Sequence, residues 1–156
     1  MARYLTSWEG NTSPLSEKYP LLLISSHPRY SFHTHGENVS WIRSIPFHRI
    51  YRDGYDCWPI QIHPSDADPR GIEDGDLVRA CNDRAEVVLI ARVTEKIRPG
   101  SVFSVSTGGY DPIEPGKIGS VDRGGAVNLL MPAKIMSQNA PGQVTQALVE
   151  LEKWEG

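Results

Sequence analysis

The densest run of chemically capable side chains is residues 25–37, SSHPRYSFHTHGE, where Ser25, Ser26, His27, Arg29, His33, Thr34 and His35 crowd together. Hydroxyls, backbone N–H groups and a guanidinium suit oxygen acceptors such as phosphates and ring carbonyls. The imidazoles also raise the idea of a zinc site. No cysteine or carboxylate completes a recognised ligand spacing, however, and two histidines two residues apart are a weak signal. Hydrogen bonding to a ligand, or plain surface exposure, outranks metal coordination. A second constellation is Thr107-Gly108-Gly109-Tyr110, where adjacent glycines let backbone N–H groups approach a phosphate or a ring closely. A third is Asn128, a lone polar residue in the apolar run Val127-Asn128-Leu129-Leu130, which needs either a ligand or neighbouring backbone as its partner. Asp66, Asp74 and Asp76 do not read as a catalytic carboxylate pair. Asp74 and Asp76 flank Gly75 in a turn, and Ser65 with Asp66 opens a helical turn, so these side chains bond to backbone amides.

Short elements must position these groups. Leu21-Leu22-Leu23-Ile24 is a buried strand, preceded by Pro20 and closed by Ser25-Ser26-His27-Pro28. Asn38 caps a short helix in which Val39, Ile42 and Ile45 form an apolar face, ended by Pro46. Residues 47–57 read as irregular, and Pro59-Ile60-Gln61-Ile62 as a strand. Ser65 caps a helical turn that Gly71 stops, and Gly75 takes positive φ in the next turn. Strands follow over 77–81, 86–93 and 101–105. The Gly- and Pro-rich stretch 106–127 is an irregular excursion of the kind that usually carries function or disorder. Residues 143–154 contain a last strand with Ala147, Val149 and Leu151 on one face, a terminal helix being the competing reading. Six or seven short strands without long crossover helices favour a mainly β small barrel with short helices.

A chain of 156 residues suits one domain whose core needs no disulfide or metal staple. The expected division is a flexible arm or linker remnant over 1–18 and the barrel over 19–156. Sixteen Lys and Arg against 19 Asp and Glu give a net charge of −3, which argues against nucleic-acid binding driven by net charge. No run reaches the roughly 18 apolar residues of a membrane span, and the start, MARYLTSWEG, lacks the apolar core of a secretory signal. The two cysteines, Cys57 and Cys81, fit a reducing compartment, with a single disulfide as the alternative. These features lean towards the cytoplasm and leave export of a longer parent open. Trp8, Trp41, Trp58 and Trp154 read as packing groups, some of them covering surfaces that face other domains.

Four stretches, LLLISSHPRYSFHTHGEN, IHPSDADPRGIEDGDLVRACNDRAEV, ARVTEKIRPGSV and GGAVNLLMP, stand in an order that resembles a known family. It is the C-terminal molybdopterin-dinucleotide-binding domain of the dimethyl-sulfoxide-reductase superfamily of molybdenum and tungsten oxidoreductases. The likeness runs from about Tyr19 to the end. The tail looks most like the pyrogallol–phloroglucinol transhydroxylase type. The resemblance implies a double-psi β-barrel that binds and orients bis(molybdopterin guanine dinucleotide), carrying Mo or W, as part of a larger enzyme. The barrel would be inactive alone and supply no catalytic or metal-ligating residue. Its partners would be upstream domains and an iron–sulfur electron-transfer subunit. The family places the loop after the first strand, the Thr107–Tyr110 stretch, Asn38, Asn128 and Gln143 near the cofactor. Ala85 departs from the family's usual glycine after Asn82-Asp83-Arg84. Two other readings stay open: a self-contained enzyme on the same barrel, which would need an internal processing site or an aspartate pair, and a non-enzymatic protein-interaction barrel.

Overall fold

In the computed structural model, which describes residues 9–32, 35–46, 48–106, 109–133 and 145–156, eight strands form. They are β1 (Leu21–Ser26), β2 (Ile50–Arg52), β3 (Tyr55–Cys57), β4 (Pro59–Ile62), β5 (Leu77–Cys81), β6 (Glu86–Val93), β7 (Ser101–Val105) and β8 (Gln146–Lys153). Six of them close a barrel in the order β1-β7-β4-β6-β5-β8, and β2 and β3 make a separate hairpin. Two parallel pairs, β1 with β7 and β4 with β6, meet through a short antiparallel contact between β4 and β7. The remaining pairs are antiparallel. This mixed closed barrel is a double-psi β-barrel, and closure pairs every barrel edge.

Period-two alternation decides what fills the barrel. Leu21 and Leu23 of β1, Ile60 and Ile62 of β4, Val87, Leu89 and Ala91 of β6, and Val149 and Leu151 of β8 share one core. The one-face reading of Ala147, Val149 and Leu151 holds, and β8 is a strand rather than a helix. β6 is buried on both faces. Its outward Val88 and Ile90 pack with Cys57 of the hairpin, against Tyr55, Leu77 and Trp154. Fully burying each such aliphatic side chain contributes about 1.5–3 kcal/mol relative to exposure.

The structure corrects three local expectations. The stretch read as irregular before Pro59 holds the β2–β3 hairpin, turned by Asp53 (φ 51°) and Gly54 (φ 86°). Positive φ at both central residues is what a two-residue hairpin turn requires, and Asp-Gly supplies it. The first helix, α1 (Ser40–Arg43), begins after Val39 with no side-chain cap, so Asn38 is not its cap. The second, α2 (Pro64–Ala67), is capped by His63, whose Nδ1 accepts from Ser65 N at 3.2 Å, rather than by Ser65. Gly71 ends the following 3-10 turn at φ 62°, as expected. Within the stretch read as an arm, Pro14–Glu17 forms a 3-10 turn capped by Ser13, and Glu9 lies buried against the barrel. Cys57 and Cys81 are both free thiols. No helix among the described residues is long and apolar enough to cross a membrane.

Candidate functional site

The parallel pairing of β1 and β7 brings two of the sequence-predicted stretches to one rim. Ser26 stands opposite Val105, and Ser106 N donates to Ser26 O at 2.7 Å just beyond the last register pair. Ser106 Oγ then donates to Asn128 Oδ1 at 2.7 Å. Ser25, Ser26 and His27 thus stand at the carboxyl end of this parallel pair, the end that Ser106 joins to Asn128. Asn128 is not the buried polar residue that its apolar neighbours suggested. It is exposed on a 3-10 helix, Val127–Leu130, whose flanking Val127 and Leu130 are buried. Its Nδ2 makes no hydrogen bond among the described residues. Ser25 points inward, 4% exposed, and its Oγ has no partner among them. A buried hydroxyl without a partner costs free energy unless a ligand or water satisfies it.

The other predicted residues, His35 apart, divide between two clefts and the undescribed stretches. Arg29 lines a cleft of about 630 Å³ together with Tyr30, His48, Trp58, Arg92 and Phe103. Arg29 also lies over the Tyr30 ring, 5.6 Å from its centroid. Asn38, Gly109 and Tyr110 line a second cleft, about 460 Å³, whose walls include Arg49, Asp56 and Asp111. His35 is exposed and its Nδ1 lies 3.0 Å from Phe32 O, closing a local loop rather than facing either cleft. His33, Thr34, Thr107, Gly108 and Gln143 lie outside the described residues. Among the described residues, no three His, Cys, Asp or Glu side chains are grouped to hold a metal ion.

The second cleft is held by a charge network. Arg49, nearly buried, pairs with Glu37 at 3.8 Å and with Asp56 at 3.1 Å, and Arg43 pairs with Asp56 at 2.7 Å. Gly109 sits where a Cβ would lie 3.0 Å from both Arg49 and the Gly124 carbonyl. Its bareness thus serves a close internal approach of two backbone segments. Asp122 organises the same loop. Fully buried, it accepts from Asp111 N at 2.7 Å, Gly124 N at 3.2 Å and Ala126 N at 2.7 Å. Neither Asp122 nor Ser106 stood out in the sequence. Asp122 had one usable signal, its place before Arg123-Gly124-Gly125, where a short carboxylate folds back on turn amides. The three carboxylates read as structural are so. Asp66 accepts from Gly100 N, Asp74 from Val93 N and Asp76 from Glu73 N. Ala85 has no positive φ, and Arg84 is spent on Glu9 and Leu130 O.

The first cleft contains a titrating group. His48, 4% exposed, meets Trp58 edge-on at 4.4 Å. Burial, reinforced by the adjacent Arg49 charge, holds its pKa below the ordinary 6.5. An imidazole kept neutral in the folded chain contributes stability that is complete above its unfolded pKa. That stability is lost as pH falls through the depressed folded value. His48→Gln should therefore flatten the decline in unfolding free energy that sets in as pH falls below about 6.5. Parallel pH profiles for the two proteins would refute this. Burial likewise pushes the Cys57 thiol up to about 12, so it is inert at neutral pH.

Polar side chains at the carboxyl ends of the parallel strands of a closed double-psi barrel make a candidate binding rim, and comparison with known proteins shows the family. Residues 21–145 match the model of the molydopterin dinucleotide binding domain, and the chain belongs to that family. It is 47% identical, over its whole length, to the pyrogallol hydroxytransferase large subunit of Pelobacter acidigallici, of which it covers 18%. It is 34% identical, over 89% of its length, to the dimethyl sulfoxide/trimethylamine N-oxide reductase of Cereibacter sphaeroides, covering 16% of that protein. The chain thus spans less than a fifth of these relatives, as expected of a domain from much larger catalytic subunits. Among solved structures, acetylene hydratase from Pelobacter acetylenicus superposes with a TM-score of 0.71 over 97% of this chain and 21% of its own. At 13% identity that likeness concerns the fold alone.

Proposed function

We propose that this domain holds bis(molybdopterin guanine dinucleotide), carrying Mo or W, as the C-terminal part of a larger oxidoreductase of the pyrogallol hydroxytransferase type. The observation that carries the reading is the joining of the β1 and β7 carboxyl ends through Ser106 to Asn128. Ser26, His27 and Asn128 Nδ2 would meet oxygen acceptors of the pterin or pyrophosphate. The unpartnered Ser25 hydroxyl and the Arg29 guanidinium are further donors in the same β1-end segment. This donor set suits an anionic, oxygen-rich ligand. Asn38, Gly109 and Tyr110, with His33, Thr34, His35, Thr107, Gly108 and Gln143, belong to the same proposed contact set through the family resemblance.

When bound, the cofactor supplies the metal-centred chemistry, and the domain's part is to hold and orient it. Hydrogen bonds from Asn128 and His27 would fix the ligand's position and tune its electronics without direct metal ligation. No side chain here is assigned as acid, base or metal ligand. The remaining pocket wall, the substrate residues and the contact to an iron–sulfur electron-transfer subunit would come from the rest of the parent enzyme.

Amide NMR of the labelled chain titrated with guanosine diphosphate tests the reading. The expected shifts cluster at Ser26, His27, Ser106 and Asn128. Shifts confined to Asn38, Gly109 and Tyr110 would remove Ser26, His27 and Asn128 from the contact set. No shift anywhere at millimolar ligand would defeat a dinucleotide site in this chain.

A further inference from the structure

We infer that Glu9, Asn82 and Arg84 are positioning residues that set Asn128 in place through the carbonyl of Leu130. The inference rests on the reading of Asn128 as a ligand donor, and it assigns work to residues that touch no ligand. β5 and β8 pair from Val78↔Lys153 only as far as Cys81↔Glu150. Beyond Cys81 the seam between them opens at Leu148, and side chains fill it. Asn82 Nδ2 donates to Leu148 O at 3.1 Å, and Leu148 N donates to Glu9 Oε2 at 3.0 Å.

The same groups reach across to the helix that bears Asn128. Asn82 Nδ2 and Arg84 Nε each donate to Leu130 O at 2.9 Å. The other two Arg84 nitrogens fork onto the Glu9 carboxylate at 2.7 and 2.9 Å. Glu9 is buried while the Arg84 side chain is 30% exposed, so the carboxylate half of this fork is shielded from water. A bidentate carboxylate fixes the plane of a guanidinium, and with it the direction of the remaining Nε–H. Fixing that N–H fixes Leu130 O, the end of the single 3-10 turn in which Asn128 is the second residue. At the other side Ser106 Oγ holds Asn128 Oδ1. The carboxamide is thereby set from two directions with its Nδ2 turned free for a ligand.

The alternative is that the ion pair only stabilises the barrel, and ligand-free NMR separates the two. In labelled Glu9→Gln and Arg84→Lys chains, the Asn128 side-chain amide resonances are expected to move. Those of Gln61, on β4 across the barrel, should stay. Lys18→Ala, which breaks the exposed pair with Asp83 in the same N-terminal stretch, should move neither. Guanosine diphosphate should bind Glu9→Gln about tenfold more weakly than the parent chain. Unmoved Asn128 resonances in both variants would overturn the relay, whatever the nucleotide does. Moved resonances, with no nucleotide response in the parent chain, would keep the relay and sink the ligand reading instead. Arg84→Lys keeps the charge and is the milder change should Glu9→Gln fail to fold.

Discussion

Asp122→Ala is expected to lower the free energy of unfolding by about 3–5 kcal/mol in a urea titration, the largest single effect in the molecule. The carboxylate has no cation beside it in its hydrogen-bond set. What satisfies it is three backbone N–H groups, those of Asp111, Gly124 and Ala126. Gly124 and Ala126 are themselves buried, so alanine would strand donors that water cannot reach. Each stranded donor costs about 1–3 kcal/mol. The backbone of Asp122 also tethers the loop to β6, its N–H bonding Glu86 O and its carbonyl accepting from Val88 N. Loss of the side chain therefore loosens the attachment of the whole 109–126 excursion. Asp122→Asn should cost less, about 1.5–3 kcal/mol, because one oxygen remains while the new amide hydrogens confront an N–H. A loss below about 1 kcal/mol for alanine would show that the loop does not depend on this carboxylate.

Gly124→Ala should cost about 2–4 kcal/mol and displace the wall of the polar cleft. A Cβ at Gly124 would fall 1.3 Å from the Gly109 carbonyl oxygen and 2.5 Å from its carbon. No rotamer relieves a clash of Cβ with backbone, so the two segments must part. Because Gly109 and Tyr110 line that cleft beside Arg49, the displacement should appear as large amide shifts at Gly109, Tyr110 and Asp111. Gly116→Ala is the control. Gly116 has φ +86° with nothing near its missing Cβ, so alanine there incurs only backbone strain of roughly 1–2 kcal/mol. Equal losses for the two variants, or an unmoved Tyr110, would mean that the crossing is looser than described.

Much of the architecture was legible because local physics forced it. Pro20 and the Ser25–Pro28 stretch marked Leu21–Ile24 as a strand, which in the fold runs two residues further, to Ser26. Gly71 and Gly75, at φ 62° and 86°, take the left-handed conformations that their turns demanded. The Asp53-Gly54 hairpin was missed although that dipeptide is a strong two-residue turn signal, because its strands are only three residues long. The caps were not readable. Val39 caps nothing with its side chain, and His63 uses an imidazole where Ser65 offered a commoner cap.

The candidate site divides along the same line. Residue types alone drew attention to the polar loop after β1 as a candidate ligand contact and singled out Asn128, and four motifs in order pointed to the family. What the sequence could not supply was juxtaposition across distance. Ser106 reaches Asn128 across 22 positions, and Glu9 reaches Leu148 across 139. Local propensity is blind to such pairings, because barrel closure chooses which strand ends become neighbours. Only the tertiary structure decided that Asn128 sits exposed on a helical turn, that Gly109 is bare to admit a backbone, and that Asp122 carries the loop. The chain's chemistry was written in its residues. Its geometry came from the register of β1 on β7 and from the seam that β5 and β8 leave open.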